Sequence, residues 1–437
     1  MLKQDALNLL NGIESIDKEL TANPNAFRPY NYDNAKWAMV DAVKNLYPDY
    51  NKDKDVVIKL MEVHAYAIGI NFDSLSPELK ADKDVVLASV KSNYNTLNYA
   101  ADELRDNKEF MIEAVNIDGR ALAYASDRLK DNLDVVMEAV NQNGMAIGYA
   151  SPDLYENETV SLAAVKQNGL ALQILSKLQR GNDDIVMEAV KQNYLALKWA
   201  DKSTTNDPEI VMAGIKNMKE YHDRENHDDF FKAISRKLRN SPEFIKEAMK
   251  VCPEIYHAAF NAVKEDKSVF LAYCDAFNKQ PYRHRFGEIP DSLKFDKDVA
   301  IAAVKINGDN LFNLRHFHDD KDVVMAAVEH DSYWSSLKYA SERLQDDKEV
   351  VMHFIKNSTS ENSPLLYASD RLKDDIEVVR AAIAKHPDAI EDASERIQKN
   401  PKLLEEKKSL NSIIGNATSR ASKQEIDHTS PSKDKNR

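Results

Sequence analysis

Apolar positions recur along the chain with a period of about 25 residues, the length of a typical structural repeat. Each copy holds an apolar pair followed by apolar or small residues four and five positions later, as in Val135, Val136, Ala139 and Val140. This spacing is typical of one buried face of an α-helix. With the first residue of the pair as anchor, clear copies stand at Val56, Val85, Phe110, Val135, Val160, Ile185, Ile210, Phe244, Val269, Val299, Val323, Val350 and Val378, and a degenerate copy at residues 37–43. The anchors from Val85 to Ile210 are evenly spaced, which indicates tandem repeats.

A short polar residue stands three positions before every anchor. Such side chains accept hydrogen bonds from the free N–H groups of a helix's first turn. An acidic residue directly before most anchors also favours the positive end of the helix. These residues predict a helix start in each copy: Asp53, Asp82, Asn107, Asn132, Asn157, Asn182, Asp207, Ser241, Asp266, Asp296, Asp320, Asp347 and Asp375.

Glycine marks the predicted end of this helix, nine residues after the anchor, at Gly119, Gly144, Gly169 and Gly308. Glycine just beyond a last turn is typical of a left-handed C-terminal cap. A second short helix is predicted to follow, for example over residues 121–126. Neither helix is long enough to be stable alone. The prediction is therefore all-α: an α-solenoid of about thirteen helix–turn–helix repeats of about 25 residues.

The second helix carries an aromatic ladder, Tyr99, Tyr124, Tyr149 and Trp199. Two interpretations are open. The rings could form a strip along a groove that binds a peptide, or they could pack between successive helices. We favour the packed arrangement.

The motif running from Asp-Lys-Asp-Val-Val through Asn-Gly to Tyr-Ala-Ser resembles the repeats called "domain of unknown function 4116", best over residues 132–151 and 182–200. The resemblance implies an α-helical tandem array and supplies no catalytic residue. It also implies a biological setting, because similar arrays occur notably in intracellular bacteria such as Legionella, where many are translocated effectors.

The regularity of the repeat changes along the chain and predicts five segments. They are an N-terminal helical cap (1–52), a regular array (53–215), an irregular helical segment with an insertion (216–295), a second array (296–399) and a polar, largely disordered tail (400–437).

Composition removes several classes of function. With 59 Lys and Arg against 72 Asp and Glu, the net charge is −13, which disfavours nucleic acid as a partner. Two cysteines are too few for a disulfide framework, so we expect a reducing, cytoplasmic compartment. No apolar run is long enough to predict a membrane span, and the start lacks a signal-peptide pattern. We expect a monomer.

Clusters that could bind metal are few. They are His316, His318, Asp319 and Asp320, and a second group that includes His222, His227, Asp228 and Asp229. Their spacing matches no zinc pattern, so we expect solvated turns, with no metal and no cofactor.

Catalytic motifs are also scarce. Cys252 with His257 or His284 could form a nucleophile pair, but a repeat boundary explains Cys252 more simply. Phosphate-binding loops, nucleophile elbows and zinc-protease motifs do not occur in the sequence, so we expect no enzymatic activity.

One insertion breaks the period with basic and aromatic residues: Tyr282, Arg283, His284, Arg285 and Phe286. Insertions in solenoids often carry recognition, which makes these the predicted partner-binding residues. The predicted function is a non-catalytic scaffold for a protein partner, and the resemblance extends this to an effector delivered into a host cell by type IV secretion. Two alternatives remain: an enzyme with an unfamiliar site in residues 216–295, and a regulator that sequesters another effector.

Overall fold

The structure, a computed structural model, is built from helices. It describes residues 2–22, 32–63, 72–220, 227–279, 288–330, 335–358, 360 and 362–410. All regular secondary structure in these ranges is helical, which confirms the predicted all-α repeat fold. The chain divides into two compact units, residues 1–238 and 239–437, which are considered separately below.

Each anchor lies in a helix, which forms the first layer of its repeat. In the first unit these helices are Lys54–Val63, Lys83–Ser92, Lys108–Ile117, Leu133–Gln142, Glu158–Gln167, Asp183–Gln192 and Pro208–Glu220. In the second unit they are Pro242–Met249, Lys267–Asn278, Lys297–Ile306, Lys321–Ala326, Lys348–Asn357 and Ile376–Lys385. Their apolar stripe is buried, as in Val135, Val136, Ala139 and Val140.

The predicted caps are confirmed in all thirteen helices. The Asp82 carboxylate accepts hydrogen bonds from the backbone N–H groups of Asp84 and Val85, at 3.0 and 3.2 Å. Asn132 accepts one from Val135 at 3.3 Å. Each helix start is therefore fixed by its own sequence.

The predicted second helix is present, but as a tighter 3₁₀ helix. These helices are Tyr94–Tyr99, Gly119–Tyr124, Gly144–Tyr149, Gly169–Ile174 and Tyr194–Trp199 in the first unit, and Gly308–Asn313, Ser336–Tyr339, Pro364–Tyr367 and Pro387–Asp392 in the second. Asn143 shows the change of geometry: it ends the long helix in extended conformation, and its side chain accepts the Met145 N–H of the 3₁₀ helix. Repeats in both regular stretches thus have a second layer of 3₁₀ helices.

A third, short element completes most repeats. It is a single α-turn at Pro77–Lys80, Asp102–Arg105, Asp127–Lys130, Pro152–Tyr155, Arg236–Arg239, Asn261–Lys264, Glu342–Gln345, Asp370–Lys373 and Glu395–Gln398. A 3₁₀ turn takes its place at Tyr50–Lys52, Gln179–Gly181, Thr204–Asn206, Asp291–Leu293 and Arg315–Phe317. Regular repeats therefore contain three helical elements, one more than the sequence predicts.

Other helices flank or interrupt the repeats. Lys3–Ala22 and Tyr32–Leu46 precede the first repeat, and Ala6, Leu10 and Ile13 pack into one core with Val56. Further elements are Phe72–Ser74, His227–Ala233, Ile255–Ala258 and Ala327–His330. Residues 401–410, within the segment predicted as a polar tail, are helical and bury Leu403; the rest of that tail lies outside the described residues.

The left-handed cap predicted at the glycines is wrong. Within the described ranges no residue has a positive φ. The reason for glycine is a close approach between repeats. A Cβ at Gly144 would collide with the carbonyl oxygen of Ala164 in the next repeat, and Gly119 and Gly169 face the same obstacle. The constraint is therefore steric and lies between repeats.

A side-chain amide joins the repeats at the same place. The Gly144 N–H donates to Oε1 of Gln167 at 2.7 Å, and Nε2 of Gln167 donates to the carbonyl oxygen of Gln142 at 3.1 Å. We call the four residues that make this contact the amide clamp: Gln142, Gln167, Gln192 and Asn217. Each clamp residue hydrogen-bonds the end of the preceding repeat's long helix or the start of its 3₁₀ helix.

Replacing Gly144 by Ala should destabilise the protein by about 1–3 kcal/mol, since overpacking forces the repeats apart. Gly148→Ala is the matched control in the same 3₁₀ helix, because its Cβ would meet only Ile174 Cδ1 at 3.5 Å. Urea unfolding followed by circular dichroism measures both. Equal midpoints for the two variants would show that the close approach is not what demands glycine.

Candidate binding face

One edge of the stack is occupied by ion pairs between neighbouring repeats. Lys348 Nζ lies 2.9 Å from Asp375 Oδ2 and 2.6 Å from the Glu377 carboxylate of the next repeat. The same contact joins Lys54 to Asp82 and Asp84, Lys267 to Asp296 and Asp298, Lys297 to Asp320 and Asp322, and Lys321 to Asp347 and Glu349. Cap residues at this edge, which we call the long-helix edge, therefore also form ion pairs with a lysine of the preceding repeat.

The edge formed by the short third elements, here called the short-helix edge, is also occupied by contacts between neighbouring repeats. Ser369 donates its hydroxyl hydrogen bond to the Asp346 carboxylate. Arg371 Nε lies 3.0 Å from Asp346 Oδ1, and Nη2 donates to the Asp346 carbonyl at 2.6 Å. Equivalent sets are Ser126 and Arg128 with Asp106, Ser341 and Arg343 with Asp319, and Ser394 and Arg396 with Asp374. The serine at the start of the short helix and the arginine two residues later thus join one repeat to the one before it.

The candidate metal cluster near residue 316 is used by these contacts. Asp319 bonds Ser341 and Asp320 caps its helix, while His318 Nε2 lies 2.9 Å from the Leu311 carbonyl oxygen. The His316 ring lies 4.5 Å from that of Phe295. In the part of the chain that the structure describes, no group of three His, Cys, Asp or Glu is arranged for a metal ion.

The third surface, on the 3₁₀ helices of the first unit, exposes aromatic rings. We define the tyrosine strip as Tyr94, Tyr99, Tyr124 and Tyr149. Tyr99 is 44% exposed and Tyr149 38%, so the favoured packing between helices is wrong for these two rings. Tyr94 and Tyr124 have ring centroids 6.2 Å apart. Trp199, half-buried, ends the last 3₁₀ helix of the same layer.

Polar groups fix two rings of the strip, those of Tyr94 and Tyr124. The Tyr124 hydroxyl donates to Asn95 Oδ1 at 2.8 Å. Arg120 lies with its guanidinium 4.3 Å from the Tyr94 centroid, a cation–π contact. Tyr94 and Tyr124 are therefore held in place by contacts between one repeat and the next.

The tyrosine strip is electrically neutral near pH 7. Arg120 is paired with Asp118, with Nη2 2.7 Å from Oδ2. Burial opposes ionisation of Asp118, but the bonds from Arg120 outweigh it and lower the pKa of the carboxyl. Burial and the neighbouring tyrosines raise the pKa of Tyr124. This face can therefore make apolar, stacking and hydrogen-bond contacts without a net charge.

The second unit also exposes rings on its 3₁₀ layer. Phe312 is 52% exposed, and its centroid lies 5.4 Å from that of Tyr339. Lys338 Nζ lies 4.6 Å from the Tyr339 centroid. The sequence analysis missed these residues, although Tyr339 and Tyr367 precede Ala-Ser as Tyr124 and Tyr149 do.

The residues predicted to bind a partner, Tyr282, Arg283, His284, Arg285 and Phe286, lie outside the described residues. His222 of the second candidate metal group does as well.

The surroundings of Cys252 do not favour a cysteine nucleophile. Cys252 is buried, and burial together with Glu254 raises the pKa of its thiol, which disfavours the reactive thiolate. Burial also raises the pKa of Cys274 to about 12. His257 packs against Tyr256 and Tyr273, and burial lowers its pKa.

These features define a helical-repeat array with two edges occupied by inter-repeat contacts and a layer of exposed rings. The family model described as "Domain of unknown function (DUF4116)" matches residues 53–105, 107–155, 157–205, 182–222, 320–363 and 360–398. These matches cover more than half of the chain, which belongs to this family. Comparison with curated proteins and with solved structures gave no match. Across the ranges that the structure describes, no helix has the length and apolar character that a membrane span requires.

Acid should unfold this protein through the inter-repeat carboxylates. Bonds from Lys321 and Lys348 lower the pKa values of Asp347 and Asp375. A pKa that is lower in the folded chain means stabilisation that is complete above the unfolded value, about 4, and lost as the pH falls through the folded value. We therefore expect the urea concentration at which half of the protein is unfolded to decrease once the pH is lowered below about 4.

The combined variant Asp347→Asn with Asp375→Asn tests whether these carboxylates cause the loss of stability in acid. Asparagine caps the equivalent helices at Asn107 and Asn132, so the first-turn bonds are retained while the charges are lost. We expect a smaller loss of stability between pH 6 and about pH 3 than in the parent protein. Identical pH profiles would assign the acid sensitivity to other groups.

Proposed function

We propose that this protein is a non-catalytic helical-repeat scaffold that binds a protein partner through the tyrosine strip. The observation that carries the proposal is the exposure of Tyr99 and Tyr149 on a surface whose neighbouring rings are held in place. Exposed aromatic side chains are enriched at the energetic centres of protein interfaces.

The distribution of charge supports the same face. The long-helix and short-helix edges of the first unit use lysine, arginine and aspartate to join repeats, as Lys54 and Arg128 do. A partner that paired with those charges would compete with the contacts between repeats. At the tyrosine strip Arg120 is already paired with Asp118, so a partner need not supply a countercharge.

The surroundings of the candidate reactive groups support a non-catalytic role. The thiols of Cys252 and Cys274 are buried in the core with raised pKa values. His257 is exposed, and its ring packs against Tyr256 and Tyr273. We extend the non-catalytic assignment to the whole chain as part of the proposal.

The double variant Tyr99→Asp with Tyr149→Asp should abolish partner binding, because two carboxylates would need desolvation in the interface. Leu133→Asp is the matched control: Leu133 is exposed on the long helix of Tyr149's repeat, and Asp183 occupies the equivalent position. The measurement is affinity purification from the native host with quantitative mass spectrometry.

Proteins retained by the parent and by Leu133→Asp, but lost with the tyrosine variant, are the expected result. Equal retention by all three would place the binding face elsewhere. A further arm, Arg283→Glu with Arg285→Glu, measures whether the insertion contributes to the same partner's binding.

We also propose that the protein is an effector delivered into a host cell by a type IV system. The family resemblance supports this, and so does the polar C-terminal sequence 416–437, which lies outside the described residues. Deleting residues 416–437 should abolish delivery in a reporter-fusion translocation assay. A variant with the same residues in scrambled order controls for composition. Unchanged delivery of the truncated protein would refute the signal assignment.

A further inference from the structure

The ladder of residues that end the 3₁₀ helices continues in the second unit and finishes on a carboxylate. Three successive 3₁₀ helices there end at Tyr339, Tyr367 and Asp392, each followed by Ala and Ser. In the first unit the same position holds tyrosine, isoleucine or tryptophan, as at Tyr149 and Trp199. Among the second-layer 3₁₀ helices that the structure describes, Asp392 is the one acidic residue at this position.

These three residues belong to one continuous surface of the second unit. The helix that ends at Tyr339 contacts the one that ends at Tyr367, which in turn contacts the one that ends at Asp392. Burial raises the pKa of the Tyr367 hydroxyl; Lys338 opposes the rise, while Tyr339 and Asp392 add to it. Electrostatic effects of this kind weaken with distance, in agreement with the adjacent positions of these side chains.

Exposed apolar side chains border this part of the ladder. Phe312 is 52% exposed, and its ring centroid lies 5.4 Å from that of Tyr339. Leu366, next to Tyr367 in the same 3₁₀ helix, is 38% exposed. We define the second ladder as Phe312, Tyr339, Leu366, Tyr367 and Asp392. It offers apolar surface that a partner can remove from water, with one carboxylate at its end.

Asp392 lacks a counter-ion. In the described part of the chain its carboxylate has neither a hydrogen bond nor an ion pair, and the residue is half-buried. Burial raises the pKa of this carboxyl; Lys373 lowers it without forming an ion pair, and Glu391 raises it further. A carboxylate that is partly removed from water without a partner is costly, so a cation supplied by a ligand would be stabilising here.

The other charged groups of this surface already have partners. Lys407 Nζ lies 3.0 Å from Asp388 Oδ1 and 3.5 Å from Glu391 Oε1. Lys338 Nζ lies 3.7 Å from Asp309 Oδ1. Including the unpaired carboxylate and its neighbouring lysine, these groups comprise four carboxylates and three lysines. The excess is one negative charge, which favours a cationic ligand.

An arginine side chain complements both properties of the surface. Its planar guanidinium stacks on aromatic rings and also forms hydrogen bonds with a carboxylate. The chain itself contains this arrangement in its first unit, where Arg120 lies 4.3 Å from the Tyr94 centroid and its Nη2 2.7 Å from Asp118 Oδ2. At the second ladder the half-buried Tyr367 has neither a ring contact nor a cation over it among the described residues. The ring and the Asp392 carboxylate are therefore available to an arginine from outside.

We propose that the second ladder binds an arginine of a partner protein, with the guanidinium on Tyr367 and hydrogen-bonded to Asp392. An apolar residue beside this arginine covers Phe312 and Leu366. The surface belongs to the second unit and shares no residue with the tyrosine strip, so this inference goes beyond the proposed function. Lysine can pair with Asp392 but has no flat face for the ring, and we expect it to bind less tightly.

The test uses the full chain and the fluorescein-labelled peptide Gly-Ser-Leu-Arg-Leu-Ser-Gly. In the matched control peptide citrulline replaces arginine, which keeps the shape and removes the charge. Fluorescence anisotropy in about 0.15 M salt, which screens distant exposed charges, should show saturable binding. We expect the arginine peptide to bind at least about tenfold more tightly than the citrulline peptide. No saturation below about 1 mM, or equal affinity for both peptides, would overturn the proposal.

Asp392→Asn is the diagnostic variant, because it removes the charge at nearly constant size. It should weaken the arginine peptide by about tenfold or more. Since Asp392 has no partner in the fold, the urea midpoint should not decrease. A decrease would show that the carboxylate serves the fold, and the proposal would be wrong.

The matched control is Asp388→Asn, which removes the same charge from the same 3₁₀ helix. Asp388 is 84% exposed at its side chain and already paired with Lys407, so peptide affinity should stay within about twofold. Equal losses in Asp392→Asn and Asp388→Asn would indicate a general effect of charge and overturn the proposal.

A further variant, Asp392→Tyr, installs the residue that ends the two neighbouring 3₁₀ helices. The fold should be retained, as unfolding curves would show, and the arginine and citrulline peptides should bind with similar affinity. If Asp392→Tyr still discriminates between the peptides as the parent does, the carboxylate is not the recognition element and the proposal is wrong.

The second ladder and the tyrosine strip can fail separately. The variant Tyr99→Asp with Tyr149→Asp changes only the first unit, so its affinity for the arginine peptide should stay within about twofold of the parent's. If the peptide does not bind while this variant still loses its partner, the second ladder is refuted and the tyrosine strip stands. Peptide binding with unchanged partner capture by the tyrosine variant would refute the tyrosine strip alone.

Discussion

The structure depends on how closely one repeat can approach the next at the end of its long helix. The Gly144 backbone lies so near the Ala164 carbonyl that no side chain fits, and Gln167 hydrogen-bonds across the same gap. A ten-residue helix has too few internal bonds to be stable alone, and its last carbonyls need partners. The neighbouring repeat supplies both the burial and the hydrogen bonds. The alignment of the 3₁₀ helices, and hence of the tyrosines and asparagines on them, follows from this contact.

Local features of the fold were predictable from the sequence, whereas features that depend on the neighbouring repeat were not. A cap such as Asp82 acts on N–H groups two and three residues away, so its role can be inferred from a short segment. Gly144 could not be explained in this way, because its obstacle, the Ala164 carbonyl, belongs to the next repeat. The same applies to the rings: Tyr124 and Tyr149 share the Tyr-Ala-Ser motif, yet Tyr149 is exposed and Tyr124 is half-buried.

The acidic composition has a structural explanation in this architecture. Asp320 caps a helix and bonds Lys297 of the preceding repeat, and Asp319 bonds Ser341 of the following one. Many carboxylates are therefore part of the stack and contribute little to a free electrostatic field. The candidate binding face is distinguished by its aromatic rings, which lie beside an arginine already paired with an aspartate. A net charge of −13 is accordingly a poor guide to the chemistry of a partner.

The amide clamp has a consequence for how such a chain can change in length. Gln142, Gln167, Gln192 and Asn217 are evenly spaced along the sequence, and each must reach the helix end of the repeat before it. Adding or removing a single residue between two clamps would misalign donors and acceptors at the contact between those two repeats. The first array can thus lengthen or shorten by duplication or loss of whole repeats, but hardly by small insertions. In the second unit Lys385 stands at the clamp position and makes a related contact, because its Nζ donates to the carbonyl oxygens of Lys356 and Ser358 at the end of the preceding long helix, at 3.1 and 2.5 Å. A lysine side chain is longer and more flexible than that of glutamine or asparagine, so this contact can accommodate the uneven spacing of the anchors there.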